Sequence, residues 1–321
     1  MNIGILGTGS IARKMAATIT KMQNVRLLAV ASRTLQKAQS FAKEYNIPRH
    51  YGEYSQLADD SDIDLIYIAT PHSRHYEDCI MCLNSDKNIL CEKAFTANGR
   101  QARDVLEYAE KKNLFVSEAM WTRFMPMRFR LDEIISSGVI GRISSLTADL
   151  GYSIVDKERI MKPELAGGAL LDLGVYTINF AVMAFGINIT DIKSSCIKNE
   201  YGVDIHNSII LTFDGGRTAL LHSNAEAVTD RKGIIYGDKG RIEVHNINNC
   251  EGIDVILNNG RSISYKTPEQ ISGYEYEVEA SLKAISEHRY ECPQMTHEDT
   301  IFIMSIMDKL RKDWGVKYPF E

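Results

Sequence analysis

The chain contains 321 residues, which at the usual one to two hundred residues per domain predicts about two domains. Its 37 basic and 42 acidic side chains leave a net charge of −5, and this slightly acidic balance disfavours proteins that bind nucleic acid or membrane surfaces through basic patches. Hydrophobic residues make up 44% of the sequence, which is enough for a full globular core.

Apolar β-rich runs alternate with helical patterns over residues 1–118. The predicted strands are 2–6, 25–32, 64–70, 88–92 and 114–117. Helical patterns fall between them at 10–22, 34–45, 73–84 and 98–112. Such alternation predicts an α/β fold with a doubly wound parallel sheet, so we predict a first domain at 1–118.

The pattern changes after residue 118, where strands become frequent and helices rare. The predicted strands are 143–153, 191–198, 208–213, 217–223, 233–236, 241–245, 253–257 and 262–265. The predicted helices are 126–137, 168–185, 272–288 and 298–312. Asp214-Gly215-Gly216 separates two of the strands and is typical of a hairpin turn. We therefore predict a second domain at 119–321, an α+β domain with a large, open, mainly antiparallel sheet, whose last helix packs back on the first domain.

The number of cysteines and the length of the apolar runs indicate where in the cell the protein is located. No stretch reaches 18 consecutive apolar residues, so neither a transmembrane helix nor a signal peptide is predicted. Six cysteines are few for this length, and free thiols in the cytoplasm are the simplest interpretation. Cys79 and Cys82 form a C-x-x-C, but they fall inside a helical pattern and no second pair accompanies them. We interpret them as buried structural thiols and predict no metal site.

A glycine pattern, Gly7-Thr8-Gly9-Ser10-Ile11-Ala12, directly follows the first strand and opens the first helix. In a G-x-G-x-x-A pattern the first glycine permits a tight turn, the second lets the backbone approach a pyrophosphate, and the small third residue lets the helix lie close to the sheet. N–H groups at the helix N-terminus then face the phosphate charge. We therefore predict a Rossmann dinucleotide-binding domain whose cofactor contacts include Gly7, Thr8, Gly9, Ser10 and Ile11.

The end of the second strand, Ala31-Ser32-Arg33, indicates which dinucleotide binds. NAD sites place an acidic residue here, about 20 to 25 residues after the glycine pattern, to bind the ribose 2′-hydroxyl. Neither Ser32 nor Arg33 is acidic. Because Ser32 can donate to a 2′-phosphate and Arg33 can pair with it, we predict NADP rather than NAD. A solvated arginine at the start of a loop is the alternative.

Two further strand ends carry polar residues at the edge where ligands of an open α/β sheet bind. Thr70, Pro71 and His72 follow the strand at 64–70 and are predicted to face the nicotinamide ribose, as is His75, for which capping a helix is the alternative. Lys93 directly follows the strand at 88–92. A lysine near a cationic nicotinamide can have a lowered pKa and can bond a substrate hydroxyl, whereas a surface lysine after a strand is the alternative.

Motifs along nearly the whole chain form one recognisable set, namely Gly7–Ala12, Thr70–His72, Glu92–Lys93, Glu118–Phe124, Gly167–Tyr176 and Tyr274–Glu275. Together they resemble the glucose–fructose oxidoreductase and inositol dehydrogenase (Gfo/Idh/MocA) family. Within it, Glu118–Phe124 followed by Tyr176 is most similar to the branch of the dimeric dihydrodiol dehydrogenases and NADP-dependent D-xylose dehydrogenases.

The resemblance implies a catalytic group. Lys93 matches the lysine of the family's Glu-Lys-Pro motif and Tyr176 matches the catalytic tyrosine of the branch. Asp172 lies four residues before Tyr176, on the same face of a helix. A tyrosine with a pKa of about 10 is a poor base at neutral pH, but a nearby ammonium and an oxidised nicotinamide would lower that pKa. The family's proline after the lysine is Ala94 here, which is expected to alter the backbone that aims Lys93.

The same resemblance implies contacts to the ligands. Glu92 and Arg123 are expected near the cofactor, and Trp121 and Phe124 against the substrate. An indole suits an apolar or sugar face. Burial at the junction of the two domains is the alternative for Trp121.

These features predict an NADP-dependent dehydrogenase or reductase that transfers hydride between NADP and a hydroxyl or carbonyl carbon of a sugar, polyol or trans-dihydrodiol. A non-catalytic NAD(P)-sensing regulator is the alternative, and it needs neither Lys93 nor Tyr176. The runs Ser208–Leu211 and Thr218–Leu221 look apolar on both faces, so we predict a homodimer through the sheet of the second domain.

Overall fold

The predicted parallel sheet is present in the computed structural model, which describes residues 1–321. Its strands are β1 (Asn2–Leu6), β2 (Arg26–Ala31), β3 (Arg49–Tyr51), β4 (Leu65–Ile68), β5 (Asn88–Glu92) and β6 (Val116–Ala119). They pair in parallel in the order β3-β2-β1-β4-β5-β6. The order reverses between β1 and β4, which is the switch point where such sheets bind dinucleotides.

Helices separate these strands along the chain. They are α1 (Ser10–Ile19), α2 (Leu35–Tyr45), α3 (Tyr54–Ala58), α4 (His72–Asn84) and α5 (Gly99–Lys112). α5 shows why these segments are helical: Asn98 accepts a hydrogen bond from the Gln101 N–H at its start, and Asn113 adopts the left-handed conformation at its end. The sequence did not predict β3 and α3, because three half-exposed residues and one five-residue helix carry too little apolar periodicity.

The second sheet has eight strands in the order β14-β13-β12-β11-β7-β10-β9-β8. They are β7 (Ile143–Gly151), β8 (Ile189–Lys198), β9 (Asp204–Phe213), β10 (Thr218–Asn224), β11 (Gly233–Gly237), β12 (Gly240–His245), β13 (Gly252–Leu257) and β14 (Ser262–Lys266). β7 and β10 are parallel and every other neighbouring pair is antiparallel. The prediction of an α+β domain with a mainly antiparallel sheet is confirmed.

The remaining helices are α6 (Pro126–Ser136), α7 (Glu158–Met161), α8 (Val175–Phe185), α9 (Glu275–Ser286) and α10 (His297–Trp314). A π-helical turn at Leu170–Gly174 runs directly into α8, and α8 contacts β7 and β10. The segment Pro163–Phe185 is apolar and long enough to cross a membrane, with a mean hydropathy of 1.5, yet 89% of its most apolar window is buried within the protein. A core helix of a globular domain has the same character.

The chain divides into two compact units. Residues 1–124 and 270–304 form the first, and residues 125–269 and 305–321 form the second. The sequence placed 270–304 in the second domain, whereas the structure groups them with the first. The reason is contact between segments far apart in sequence: α9 contacts β5, and the His297 ring bonds the Val116 carbonyl at 2.9 Å.

Candidate functional site

The glycine loop after β1 has the geometry that a dinucleotide requires. Gly7 has a φ of +110°, and a Cβ atom there would lie 2.7 Å from the Ala69 carbonyl oxygen, so only glycine fits. A Cβ at Gly9 would meet no atom within 4 Å, which means that packing in the protein does not demand this second glycine. α1 starts without a side-chain cap on its N–H groups. A pyrophosphate that lies against Gly9 and accepts from those N–H groups explains both features.

The end of β2 carries Ser32 and Arg33, the two residues that the sequence predicted to contact a 2′-phosphate. Ser32 is only 4% exposed, and its hydroxyl contacts the Thr8 hydroxyl at 3.2 Å. Its N–H donates to the Tyr51 carbonyl at 3.1 Å. Ser32 therefore joins β2 to the glycine loop and to β3, and Arg33 is the exposed polar side chain at this strand end.

Side chains from three elements hold the backbone around Lys93 after β5. The Lys93 N–H donates to Glu92 Oε2 at 3.2 Å, and the Lys93 carbonyl contacts His72 Nε2 at 3.2 Å. The Phe95 N–H donates to Glu118 Oε1 at 3.1 Å. The peptide bond between Lys93 and the fully buried Ala94 is cis. The chain here is thus fixed at each residue by polar contacts, although the family's proline is absent.

His75 belongs to the same arrangement. It is fully buried, its Nδ1 lies 2.9 Å from the Ala94 carbonyl, and its Nε2 lies 2.8 Å from the Thr70 carbonyl. Burial lowers the pKa of the imidazole, so the neutral ring donates to one carbonyl at a time. Both ring nitrogens of His75 thus contact main-chain carbonyls of the protein, and its contact with the cofactor stays a prediction.

A buried carboxylate in α4 holds the turn that follows β4. The Thr70 hydroxyl donates to Asp78 Oδ2 at 2.7 Å, and Arg74 bonds Asp78 Oδ1 at 3.0 Å. Burial raises the pKa of Asp78. Pro71 directly precedes α4 with a φ of −62°, which a proline adopts without strain. These contacts fix the turn that the sequence predicted to face the nicotinamide ribose.

Glu92, which the sequence predicted near the cofactor, is buried beside two acidic groups that the sequence did not reveal, Tyr67 and Glu277. The Tyr67 hydroxyl donates to Glu92 Oε1, and burial raises the pKa of Tyr67 well above its usual value. Glu277 of α9 is fully buried, and neither of its carboxyl oxygens has a hydrogen-bond partner. Burial, followed by the charge of Glu92, raises the pKa of Glu277 well above its usual range. Burial therefore favours the uncharged form of Glu277 in the folded protein.

Glu118 is a second such group. It is 2% exposed and accepts hydrogen bonds from the Phe95 N–H and from the Thr300 hydroxyl, each at 3.1 Å. Burial raises its pKa to about 7. Its position near the end of β6 signalled a place at the ligand-binding edge of the sheet, but its titration range depends on burial by α10.

The segment after β6 packs more tightly than its predicted ligand contacts imply. Trp121 is 6% exposed and stacks on Tyr274, with ring centroids 4.1 Å apart and planes within 5°. Arg123 is 7% exposed, and its Nη1 lies 3.0 Å from Asp299 Oδ2. Phe124 is 3% exposed. The ion pair with Asp299 links Arg123 to the start of α10. In the stack, Tyr274 covers one face of the Trp121 indole.

Asp172 and Tyr176 lie in and just after the π-helical turn of the second unit. Asp172 is 5% exposed and accepts a hydrogen bond from Arg159 Nη1 at 2.7 Å. Tyr176 is 7% exposed. The sequence predicted a regular helix here and missed the π turn. Such turns within α-helices are frequent at functional sites, so the local geometry agrees with a functional role for this segment.

The cysteines of the C-x-x-C are buried inside α4. Cys79, Cys82 and the neighbouring Cys91 are each 0% exposed, and all six cysteines are free. Burial raises the thiol pKa of Cys82 and of Cys91 well above the usual value. Thiols of this kind are unreactive, as the interpretation of structural cysteines required.

Comparison with known proteins now decides the family. Residues 1–120 match the oxidoreductase family described as having an NAD-binding Rossmann fold, and residues 130–243 match the GFO/IDH/MocA C-terminal domain. The trans-1,2-dihydrobenzene-1,2-diol dehydrogenase of Xenopus laevis is 34% identical over 98% of both chains. The chain belongs to the GFO/IDH/MocA oxidoreductase family. It is an NAD(P)-dependent oxidoreductase.

Two other proteins are similar to this chain over nearly its whole length. The NADP-dependent scyllo-inositol 2-dehydrogenase IolU of Bacillus subtilis is 28% identical over 99% of this chain and 98% of its own. The 3-ketoreductase KijD10 of Actinomadura kijaniata, solved with NADP and TDP-benzene, superposes with a TM-score of 0.89 at 22% identity, covering 97% of both chains. The latter likeness concerns the fold alone.

Proposed function

We propose that this protein is an NADP-dependent dehydrogenase or reductase that acts on a secondary hydroxyl, or the matching carbonyl, of a sugar, polyol or trans-dihydrodiol. The observation that best supports this function is that Glu92, His72 and Glu118 hold the backbone around Lys93 at the ligand-binding edge of the sheet. A non-catalytic sensor has no need to fix a lysine in this way. The named activities of relatives that span the whole chain support the same class of substrate.

The proposed chemistry assigns separate roles to the two units. The glycine loop and α1 bind the pyrophosphate, and the bound cofactor supplies hydride transfer at its nicotinamide. Tyr176 exchanges a proton with the reacting oxygen of the substrate, and Lys93 supplies an ammonium group at the ligand-binding edge of the first unit. Asp172, bonded to Arg159, orients the first turn of the helix that carries Tyr176.

Turnover of a substrate panel tests this proposal. The protein is incubated with NADP and scyllo-inositol, D-xylose, D-glucose or trans-1,2-dihydrobenzene-1,2-diol, and the absorbance of the reduced nicotinamide is followed. Tyr176→Phe keeps the ring and removes the phenolic oxygen, so turnover should fall by about 10²-fold or more, as for other positioned acid–base groups. NADP affinity should change little. A Tyr176→Phe protein with normal turnover and intact cofactor binding would refute the assignment.

The preference for NADP is proposed to depend on Arg33. Its guanidinium is exposed at the carboxyl end of β2, where the adenosine ribose lies in a Rossmann domain, and no acidic residue stands there to bind a 2′-hydroxyl. Ser32 contacts the glycine loop through Thr8, and its direct contact with the phosphate stays a prediction.

We further propose a homodimer through the open face of the second sheet. Along β9 and β10 buried residues alternate with outward ones, and Ile210 faces Leu220 across the strand pair. Ile197, Ile210 and Leu220 lie on that outward face and are 53%, 43% and 48% exposed. The outward face is thus partly apolar and not, as predicted, apolar throughout, yet it exposes neighbouring apolar side chains that a partner would cover.

Light scattering at micromolar protein tests the dimer. The wild type should have twice the chain mass, and a protein with both Ile210→Lys and Leu220→Lys should be monomeric, because two ammonium groups would be buried at the interface. Ile187→Lys is the control, since Ile187 is 43% exposed but precedes β8 outside the sheet. A monomeric wild type would contradict the proposal.

A cytoplasmic location is proposed on the basis of the six free cysteines.

A further inference from the structure

A buried carboxylate stands at the start of the helix that carries Asp172 and Tyr176. Asp204, the first residue of β9, is fully buried. Its Oδ2 accepts a hydrogen bond from the Leu170 N–H at 2.8 Å and another from Asn207 Nδ2 at 2.9 Å. Leu170 is the first residue of the π-helical turn. Asp204 therefore binds an N–H group at the N-terminus of this helix, where a negative charge is most favourable.

The loop before the helix is shaped around the same carboxylate. Gly168 has a φ of +123°, and a Cβ atom there would lie 2.4 Å from Asp204 Oδ1. A side chain at position 168 would displace the carboxylate, so the glycine and Asp204 fit only together. Oδ1 itself has no hydrogen-bond partner. A proton can be added at Oδ1 without loss of either hydrogen bond to Oδ2.

We propose that Asp204 is a positioning residue whose ionised form holds the first turn of the Tyr176 helix in the active geometry, so that protonation of Asp204 slows turnover. This inference rests on the proposed role of Tyr176. A charged acceptor binds an N–H group more strongly than a neutral one does. When Asp204 is protonated at Oδ1, the bond from the Leu170 N–H to Oδ2 remains but loses its charge assistance, and the π-helical turn that sets the direction of Asp172 and Tyr176 is less firmly held.

The surroundings of Asp204 make it titrate near physiological pH. Burial raises its pKa to about 6, against the opposing effect of the hydrogen bonds from Asn207 and Leu170. The titratable and charged groups that face it from β8, α10 and the C-terminal residues are Cys196, Lys198, Arg311 and Tyr318.

Arg311, Cys196 and Tyr318 keep one charge state where Asp204 titrates. Arg311, which pairs with Asp308 and Glu321, stays protonated, and its charge favours ionised Asp204. Burial raises the pKa of Cys196 and of Tyr318, so both stay neutral.

Asp204→Asn tests the proposal because asparagine keeps the shape and removes the charge. Its carbonyl oxygen can accept both hydrogen bonds in the position of Oδ2, and its NH₂ group takes the position of Oδ1. We expect kcat to fall roughly tenfold at pH 8, since small displacements of reacting groups have effects of up to about 10²-fold. The ratio of wild-type to variant kcat should fall towards one at pH 5, where wild-type Asp204 is protonated. Other titrating groups affect both proteins and cancel in this ratio.

Two outcomes would overturn the proposal. A ratio of one at every pH would mean that Asp204 does not position the helix. A reduced kcat with a ratio independent of pH would mean that the residue acts through packing and not through its charge. Asp214→Asn, the same change at an exposed position, is the matched control and should leave kcat and its pH dependence unchanged. NADPH fluorescence titration counts folded sites, so kcat refers to folded protein only.

A second variant gives an independent test if Asp204→Asn folds poorly. Asn207→Ala removes a donor that favours ionised Asp204, so the pH at which turnover is lost should move upward, towards neutrality. An unchanged midpoint would contradict the proposal. Tyr176→Phe separates this inference from the proposed function: loss of turnover in Tyr176→Phe with no effect in Asp204→Asn refutes only the role of Asp204, whereas normal turnover in Tyr176→Phe refutes the proposed function itself.

Discussion

Replacing Glu118 by glutamine should remove a pH-dependent loss of stability from the first unit. Glu118 is 2% exposed and accepts from the Phe95 N–H and the Thr300 hydroxyl. Glutamine has the same shape, and its oxygen can keep the bond from Phe95 while its NH₂ group donates to the oxygen of Thr300. Unlike glutamate, it cannot ionise. The substitution therefore changes charge and leaves packing and hydrogen bonding nearly intact.

The size of the effect follows from the pKa. Burial raises the pKa of Glu118 from 4.5 to about 7, and a difference of roughly 2.5 units at ~1.36 kcal/mol per unit corresponds to about 3 kcal/mol. Because the pKa is higher in the folded than in the unfolded state, the folded protein binds more protons between these two values. The stability that Glu118 contributes is complete below pH 4.5 and is lost as the pH rises to about 7.

Urea denaturation of both proteins at a series of pH values measures this difference. Both proteins carry Trp314→Phe, which removes the tryptophan of the second unit, so the fluorescence of Trp121 follows the unfolding of the unit that contains Glu118. The free energy of unfolding of Glu118→Gln relative to wild type should rise by about 3 kcal/mol between pH 4.5 and pH 8. Glu107→Gln, at an exposed position of α5, is the control. A constant difference between Glu118→Gln and wild type over this range would refute the reasoning.

Three further predictions concern the cofactor, the catalytic pair and the buried acid. Arg33→Ala should weaken NADP binding far more than NAD binding, because only NADP has a 2′-phosphate. The control, Arg26→Ala at the opposite end of β2, should weaken neither. Equal losses of affinity for both cofactors in a fluorescence titration would contradict the preference for NADP. Lys93→Met should lower kcat, and combining it with Tyr176→Phe should be far less than additive if the two residues act as one unit; additive losses would show that they act separately. Glu277→Met should raise the free energy of unfolding by about 1–3 kcal/mol at pH 8, since it removes a buried acid with no hydrogen-bond partner, and a lower unfolding midpoint in urea would count against this account.

Local pattern was enough to predict most of the fold. β1 and β5 have the predicted bounds, and the eight strands of the second sheet were each predicted within a few residues, because alternation and turn residues such as Asp214-Gly215-Gly216 are properties of neighbouring positions. Elements with little pattern were missed: the short β3, and the π turn at Leu170–Gly174, whose extra residue per turn is set by packing.

The sequence by itself determined which residues stand at the ends of the parallel strands, and hence the glycine loop, Arg33 and Lys93 as parts of one ligand-binding edge. The carboxyl ends of parallel strands lie at one edge of the sheet, so the placement of these residues does not depend on the exact bounds of each strand. Only the tertiary structure decided how these residues are held and charged. His75 turned inward to two main-chain carbonyls, and Glu118 bonds a threonine 182 positions away. A carboxyl group's pKa depends on how much water and which dipoles surround it, and those neighbours come from segments that no local pattern relates.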